Sequence, residues 1–191
     1  MLIPDMAAAD STIFRYDGRW WMLCTDVADS GNEALHAFHA DALRGPWHPH
    51  RRNPVKIDVT SARPAGPVFR VGEALVRPAQ DCADHYGAAV RFQRIVRLTP
   101  DEYREEDAGA LIPDPRGPCP AGLHTLSSAG GLTMIDGARW SFQRADFGRL
   151  VRGKWVKYRL WGVRKLLSGS LRDRGIDGLS QYHAAPRIAK D

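Results

Sequence analysis

Residues 61–82 read SARPAGPVFRVGEALVRPAQDC. The tripeptide Arg-Pro-Ala occurs twice in this stretch, at 63–65 and again at 77–79. Between the copies, Pro67-Val68-Phe69-Arg70 and Ala74-Leu75-Val76-Arg77 flank Val71-Gly72-Glu73. Two short apolar runs around a glycine read as an antiparallel hairpin, because glycine tolerates the positive φ that tight turns need. Proline has no N–H to give a ladder, so each copy reads as punctuation. The first is a stiff entry into the hairpin. The second, Arg77-Pro78-Ala79-Gln80-Asp81-Cys82, is a loop leaving it.

The same order stands on either side. Upstream, Thr12–Tyr16 and Arg19–Cys24 flank Asp17-Gly18, a strong hairpin signal. Leu35–Ala40 then alternates apolar and polar residues, and Gly45–His50 turns into a short edge strand where proline is tolerated. Downstream, Ala88–Ile95 supplies a third strand and Tyr103–Glu106 a fourth. A further unit opens at Gly122–Leu126, and Leu132–Trp140 repeats the Asp-Gly then Arg-Trp turn of the first. Phe14 and Phe69 are 55 residues apart, and the third unit follows at about the same interval. Four strands in a period of about 50 residues mark a β-propeller blade, with a generic antiparallel sandwich as the alternative. Inner strands of a propeller start near its axis. Asp10, Arg63 and His124, each just ahead of an inner strand, are therefore expected to face an axial pocket.

The totals agree with a folded domain. The chain has 191 residues, 43% hydrophobic and 26% charged, which suits one domain with its own core and a tail. No apolar run approaches the ~20 residues that span a bilayer. The start, MLIPDMAAADS, lacks the basic region of a secretory signal. Three scattered cysteines without a CxxC spacing argue against a disulfide framework and a zinc site, so a reducing, cytoplasmic setting is expected. The net charge of +5 is concentrated between Arg139 and Arg174, where eleven Lys and Arg face two Asp. Within that arm Val156, Leu160, Val163, Leu167 and Leu171 fall at helical spacing with cations around them. The pattern predicts a basic amphipathic helix over 154–171, suited to an anionic membrane surface or to packing on the propeller. No recognised nucleic-acid-binding fold surrounds these residues, which speaks against nucleic acid as a partner.

Several segments resemble a known family: GRWWMLCTD, LHAFHADALRGPWHPHRRNPVKID, SARPAGPVF, ALVRPAQDCADHYGAAVRFQRIVRLTPDEYREE and GLHTLSSAGGLTMIDGARW. They are similar to the propeller domain at the N-terminus of glucosamine inositolphosphorylceramide transferases, which bacterial relatives also carry. That domain is similar in turn to the five-bladed propellers of family 43 and family 32 glycoside hydrolases. The resemblance covers about Asp10 to Trp140 and is most specific over Arg77–Gly87, RPAQDCADHYG. It implies an all-β fold, a partial five-bladed β-propeller of about two and a half blades of four-stranded antiparallel sheets. The expected units lie near 10–60, 61–115 and 120–145, within a propeller over 1–140 that is followed by a basic C-terminal arm over 141–191. The chain then corresponds to the C-terminal portion of such a domain. An unclosed propeller leaves a strand edge that a partner or a second copy must cover.

The resemblance also implies a function, the handling of a sugar, sugar-phosphate or glycolipid within a glycosyl-transferring or glycan-processing protein. Asp10 looks like an innermost-strand carboxylate of the related hydrolases and is the candidate catalytic residue. Its partner carboxylates would come from blades outside this chain. The substrate-binding candidates are Arg63, Arg77, Gln80, Asp81, His85, Tyr86 and His124. Arginine offers a planar fork of donors, and aromatic rings pack on sugar faces. One arginine is expected to bind Asp81 and the other, Arg63, to face ligand. Asp81 otherwise caps its own loop, and Glu105 is read as lying on a solvated strand face. His36 and His39 differ in strand parity, and His48 and His50 lack a third ligand, so no metal site is read; no cofactor motif is present. A noncatalytic glycan-binding module and a protein-association scaffold remain as alternatives to an enzyme.

Overall fold

The structure, a computed structural model, describes residues 2–3, 6–29, 31–129, 131–141 and, as backbone, 164–167. Its regular elements are all strands: β1 (Ala8–Tyr16), β2 (Arg19–Asp26), β3 (Ala34–Ala40), β4 (His48–Pro49), β5 (Lys56–Ile57), β6 (Phe69–Val71), β7 (Ala74–Asp81), β8 (Ala89–Leu98), β9 (Tyr103–Leu111), β10 (Leu126–Ala129), β11 (Leu132–Ile135) and β12 (Arg164–Leu167). They form three antiparallel sheets in chain order, β1-β2-β3-β4 with β5 also on β3, then β6-β7-β8-β9, then β10-β11-β12. Each sheet is a meander that is complete before the next begins. The first strands of successive sheets approach one another, with Val68 N–H donating to Thr12 Oγ1 at 3.4 Å and Leu126 N–H to the Ala65 carbonyl at 2.8 Å. Successive meanders with neighbouring inner strands are the blades of a β-propeller.

The second strand of the middle blade, β7, is buried on both faces from Leu75 to Gln80, which explains why Ala74-Leu75-Val76 reads as an uninterrupted apolar run. Leu75 and Ile95 join Trp21, Leu23, Leu35 and Ala37 in a core between the first two blades. Val76, Val90 and Phe92 join Leu123 and Leu126 between the second and third. On the first blade, Trp21 and Leu23 face one core while Met22 and Cys24 face another with Phe38. Alternation along RWWMLC is therefore present but joins two apolar faces.

The fourth strand of the first blade is split. β4 pairs with Phe38 and His39, and β5 with Ala34 and Leu35. Between them the Asn53 side chain stands in for strand backbone. Its Oδ1 accepts from Ala37 N–H and its Nδ2 donates to the Ala37 carbonyl, both at 2.8 Å.

Three expectations are corrected. First, the second Arg-Pro-Ala copy is strand rather than loop, since β7 runs through Asp81. The two copies pair with each other: Pro64 lies opposite Ala79, Ala65 N–H donates to the Pro78 carbonyl at 3.0 Å, and Gln80 N–H to the Arg63 carbonyl at 2.8 Å. Pro64 occupies a position whose N–H the ladder does not use, so it costs no bond. Pro78 cannot return a bond to the Ala65 carbonyl, and that carbonyl accepts from Leu126 of the next blade instead. Second, Asp136-Gly137 is not the turn of the third hairpin. β10 and β11 are joined between Ala129 and Leu132, so Asp136 follows β11 and its carboxylate binds backbone. Third, the segment expected as helix over 154–171 is described only at Arg164–Leu167, where it is strand β12, paired with β11 from Leu132↔Leu167 to Ile135↔Arg164. The free edge of β11 offers these residues a ladder in place of helical bonds. The rest of the expected helix lies outside the described residues.

Candidate functional site

Asp10 sits inside β1 at a bulge. The pairing register shifts between Ala9 and Thr12, and Asp10 has a φ of 51°. A bulge re-aims the side chain it carries, and aspartate tolerates the left-handed region better than most residues. The carboxylate thereby leaves the ladder and meets Arg63.

Arg63 approaches from the entry to the middle blade. Its Nε donates to Asp10 Oδ2 at 2.6 Å, and its Nη1 to the Gly31 carbonyl at 3.1 Å and to Asn32 Oδ1 at 3.0 Å. The guanidinium carbon lies 4.9 Å from the centre of the Tyr86 ring, a cation–π distance. Gln80, fully buried, donates from Nε2 to Asp10 Oδ2 at 3.2 Å and to the Pro64 carbonyl at 2.9 Å. The antiparallel pairing of the two Arg-Pro-Ala copies is what brings Arg63 and Gln80 side by side.

The third blade closes the group. The Tyr86 and His124 ring centres are 5.4 Å apart, and His124 Nδ1 contacts the Asp136 carboxylate. Asp136 Oδ1 also accepts from the N–H of His124 at 3.0 Å and of Thr125 at 2.7 Å. Burial pushes the Asp136 carboxyl up, but the His124 side chain and these two N–H groups outweigh it and hold it below its ordinary value. Burial likewise raises the Tyr86 phenol, an effect the Arg63 charge opposes. Gly87, at φ 68°, lets the Tyr86 loop lie against His124, because a Cβ there would stand 2.5 Å from His124 Cβ. Asp10, Ser11, Thr12, Pro64, Gly66 and Thr125 line an open groove of about 320 Å³ beside this group, where the inner strands of the three blades meet.

Of the eight residues singled out from the sequence, Asp10, Arg63, Gln80, Tyr86 and His124 come together here. Arg77, Asp81 and His85 do not join them. Arg77 and Asp81 are four residues apart on one strand, about 13 Å at ~3.3 Å per residue, so the expected contact between them cannot form. Arg77 is completely buried between the first two blades and bonds Glu105, while Asp81 accepts from Ala83 N–H at 3.1 Å and from Arg91 Nε at 2.9 Å. His85 Nε2 lies 2.7 Å from the Ala121 carbonyl. Glu105, expected on a solvated face, has a side chain only 4% exposed. Gly31, Asn32 and Asp136 were not singled out. They belong to turn-rich stretches whose composition says loop and nothing about which distant side chain the loop will hold. Among the described residues no three His, Cys, Asp or Glu side chains gather as a metal site.

A family model described as glucosamine inositolphosphorylceramide transferase 1, N-terminal, matches residues 2–117. Glucosamine inositolphosphorylceramide transferase 1 of Oryza sativa subsp. japonica is 31% identical over 160 residues, 81% of this chain and 20% of the relative. The protein of that name from Arabidopsis thaliana is 35% identical over 101 residues, 50% of this chain and 13% of the relative. The chain thus spans about a fifth or less of the length of the curated relatives it matches. Among solved structures, an α-L-arabinofuranosidase from Clostridium thermocellum is similar with a TM-score of 0.44 at 13% identity, over 70% of this chain and 43% of that one. A Bacteroides ovatus xyloglucan PUL GH43B structure gives 0.42 at 16% identity, over 69% and 24%.

Proposed function

Because this chain belongs to the family of glucosamine inositolphosphorylceramide transferase 1 N-terminal domains, we propose that it is a carbohydrate-binding propeller segment of a glycosyl-transferring protein. Its ligand is a sugar or the sugar head of a glycolipid. One observation carries the reading: Asp10, Arg63, Gln80, Tyr86 and His124, drawn from three blades, converge beside a groove between the inner strands. Convergent polar groups with an aromatic ring at a concave junction are what sugar recognition requires.

Binding is favoured over glycoside hydrolysis. Hydrolysis by the usual route needs two carboxylates flanking the scissile bond, one of them available as an acid. The two carboxylates of this group are already engaged, Asp10 by Arg63 and Gln80, and Asp136 by His124 and two backbone N–H groups. Asp10 thus acts as a ligand-holding acceptor.

The test is saturation-transfer NMR on the full chain with N-acetylglucosamine, methyl glucoside and myo-inositol. Transfer to the ring protons of at least one is expected. No transfer to any of them at millimolar concentration contradicts the proposal.

A further inference from the structure

The charge of the axial group selects among carbohydrate ligands, an inference that rests on the binding reading above. We propose that the group takes an uncharged sugar or cyclitol ring through two neighbouring hydroxyls and turns phosphate away.

Arg63 has its positive charge balanced within the group. Its Nε is 2.6 Å from Asp10 Oδ2, and Asp10, with about a third of its side chain exposed, lines the groove itself. The guanidinium is also fixed from three further sides, by the Gly31 carbonyl, Asn32 Oδ1 and the Tyr86 ring. Among the described residues its Nη2 has no partner. Asp10 itself lines the groove, and Arg63, its side chain 13% exposed, stands bonded behind it, so what lies at this wall is an acceptor paired with a donor and carrying no net charge. Asp136, held by His124, adds a second carboxylate on the third blade.

A hydroxyl both donates and accepts. One ring hydroxyl donates to Asp10, and its neighbour accepts from Arg63 Nη2. A phosphate has acceptors only at the positions that count. Its oxygens gain one donor and face the Asp10 carboxylate at close range, where like charges repel strongly in a partly buried site. Gln80 donates to the same Asp10 oxygen that Arg63 holds and is itself anchored to the Pro64 carbonyl, so the pair is set before ligand arrives.

The experiment titrates the full chain, followed by protein NMR, with two matched pairs: myo-inositol against myo-inositol 1-phosphate, and methyl glucoside against glucose 1-phosphate. The uncharged member of at least one pair is expected to bind about tenfold or more tightly than its phosphate. Phosphates that bind within about tenfold of their uncharged partners in both pairs overturn this inference and leave carbohydrate binding standing. Absence of binding by all four overturns both.

A second arm uses Asp10→Asn, which suits the left-handed backbone and keeps the shape of the side chain while leaving Arg63 uncompensated. Inorganic phosphate, followed by its phosphorus resonance, is expected to bind this variant at least about tenfold better than the parent. The gain is expected to vanish in Asp10→Asn/Arg63→Ala. No gain in Asp10→Asn overturns the charge argument.

Discussion

Arg77 grips Glu105 with two nitrogens, Nε to Oε2 at 3.0 Å and Nη2 to Oε1 at 2.6 Å, although neither residue lies near the groove. Arg77 also donates to the carbonyls of Ala62 at 3.1 Å and Ser61 at 2.6 Å, which fastens the segment entering the middle blade to that blade's own strands. Lys56 Nζ, from the first blade, reaches Glu105 at 2.7 Å, and the Tyr103 hydroxyl also bonds it. Burial pushes the Glu105 carboxyl up, but Arg77 and then Lys56 outweigh it and hold it below the ordinary range.

Removing one partner leaves an uncompensated buried charge. Arg77→Ala and Glu105→Gln are each expected to lower the unfolding free energy by about 3 kcal/mol or more in urea denaturation. Arg77→Met/Glu105→Leu, which removes both charges, is expected to recover part of that loss. Single variants as stable as the parent would show that the pair is not a clamp.

Asp58 gives the fold an acid-sensitive joint. Burial works against its charge, but the Ser61 and Thr60 hydroxyls, the Thr60 N–H and Lys56 outweigh it and take the carboxyl from 3.8 to about 2. As pH falls, the unfolded chain binds the proton first, so this stabilisation is complete above about pH 4 and is lost as pH approaches 2. Asp58→Asn is expected to flatten the fall in stability over that window by about 1 kcal/mol, the group being partly screened by solvent. An unchanged slope would place the acid sensitivity elsewhere.

Two glycines with positive φ separate backbone conformation from contact between blades. Gly72, at φ 57°, turns the hairpin with nothing within 4 Å of an added Cβ. Gly66, at φ 131°, would set that Cβ 2.0 Å from the Leu126 carbonyl oxygen, which is backbone and cannot swing aside. Gly72→Ala is expected to cost about 1 kcal/mol and Gly66→Ala about 3 kcal/mol or more. Equal costs in thermal unfolding would mean that the inner strands of the second and third blades are not packed this closely.

The hairpins were legible because tight turns write themselves in local chemistry: Asp17-Gly18 and Gly72 sit where the sequence puts them. The approach of Asp10, Arg63 and His124 followed from the repeat, which places equivalent positions of successive blades beside one axis. Pro78 misled locally, because a proline whose missing ladder bond is made good by another blade, the Ala65 carbonyl accepting from Leu126 instead, looks the same as one that ends a strand. Arg77 and Asp81 misled for a related reason. Their proximity in sequence suggested a bond, while the partners they find, Glu105 and Arg91, are on strands 28 and 10 residues away. Asp136-Gly137 matched a turn signal, yet the hairpin closes earlier and the aspartate binds the backbone ahead of β10. Partners chosen by strand register are not written in any local pattern.

The central claim is that the axial group binds carbohydrate through Arg63, and titration of the parent and Arg63→Ala with whichever neutral ligand gives the stronger saturation transfer tests it most directly. Far-ultraviolet circular dichroism establishes that the variant is folded. The loss of the bonds to Asp10, Gly31 and Asn32 is expected to lower its stability by about 1–2 kcal/mol without unfolding it. The account predicts at least about a tenfold weaker affinity for folded Arg63→Ala, with ligand-induced amide shifts in the parent at Asp10, Asn32, Gln80, Tyr86 and His124. Equal affinity in the two proteins, or shifts that avoid these residues, would contradict it.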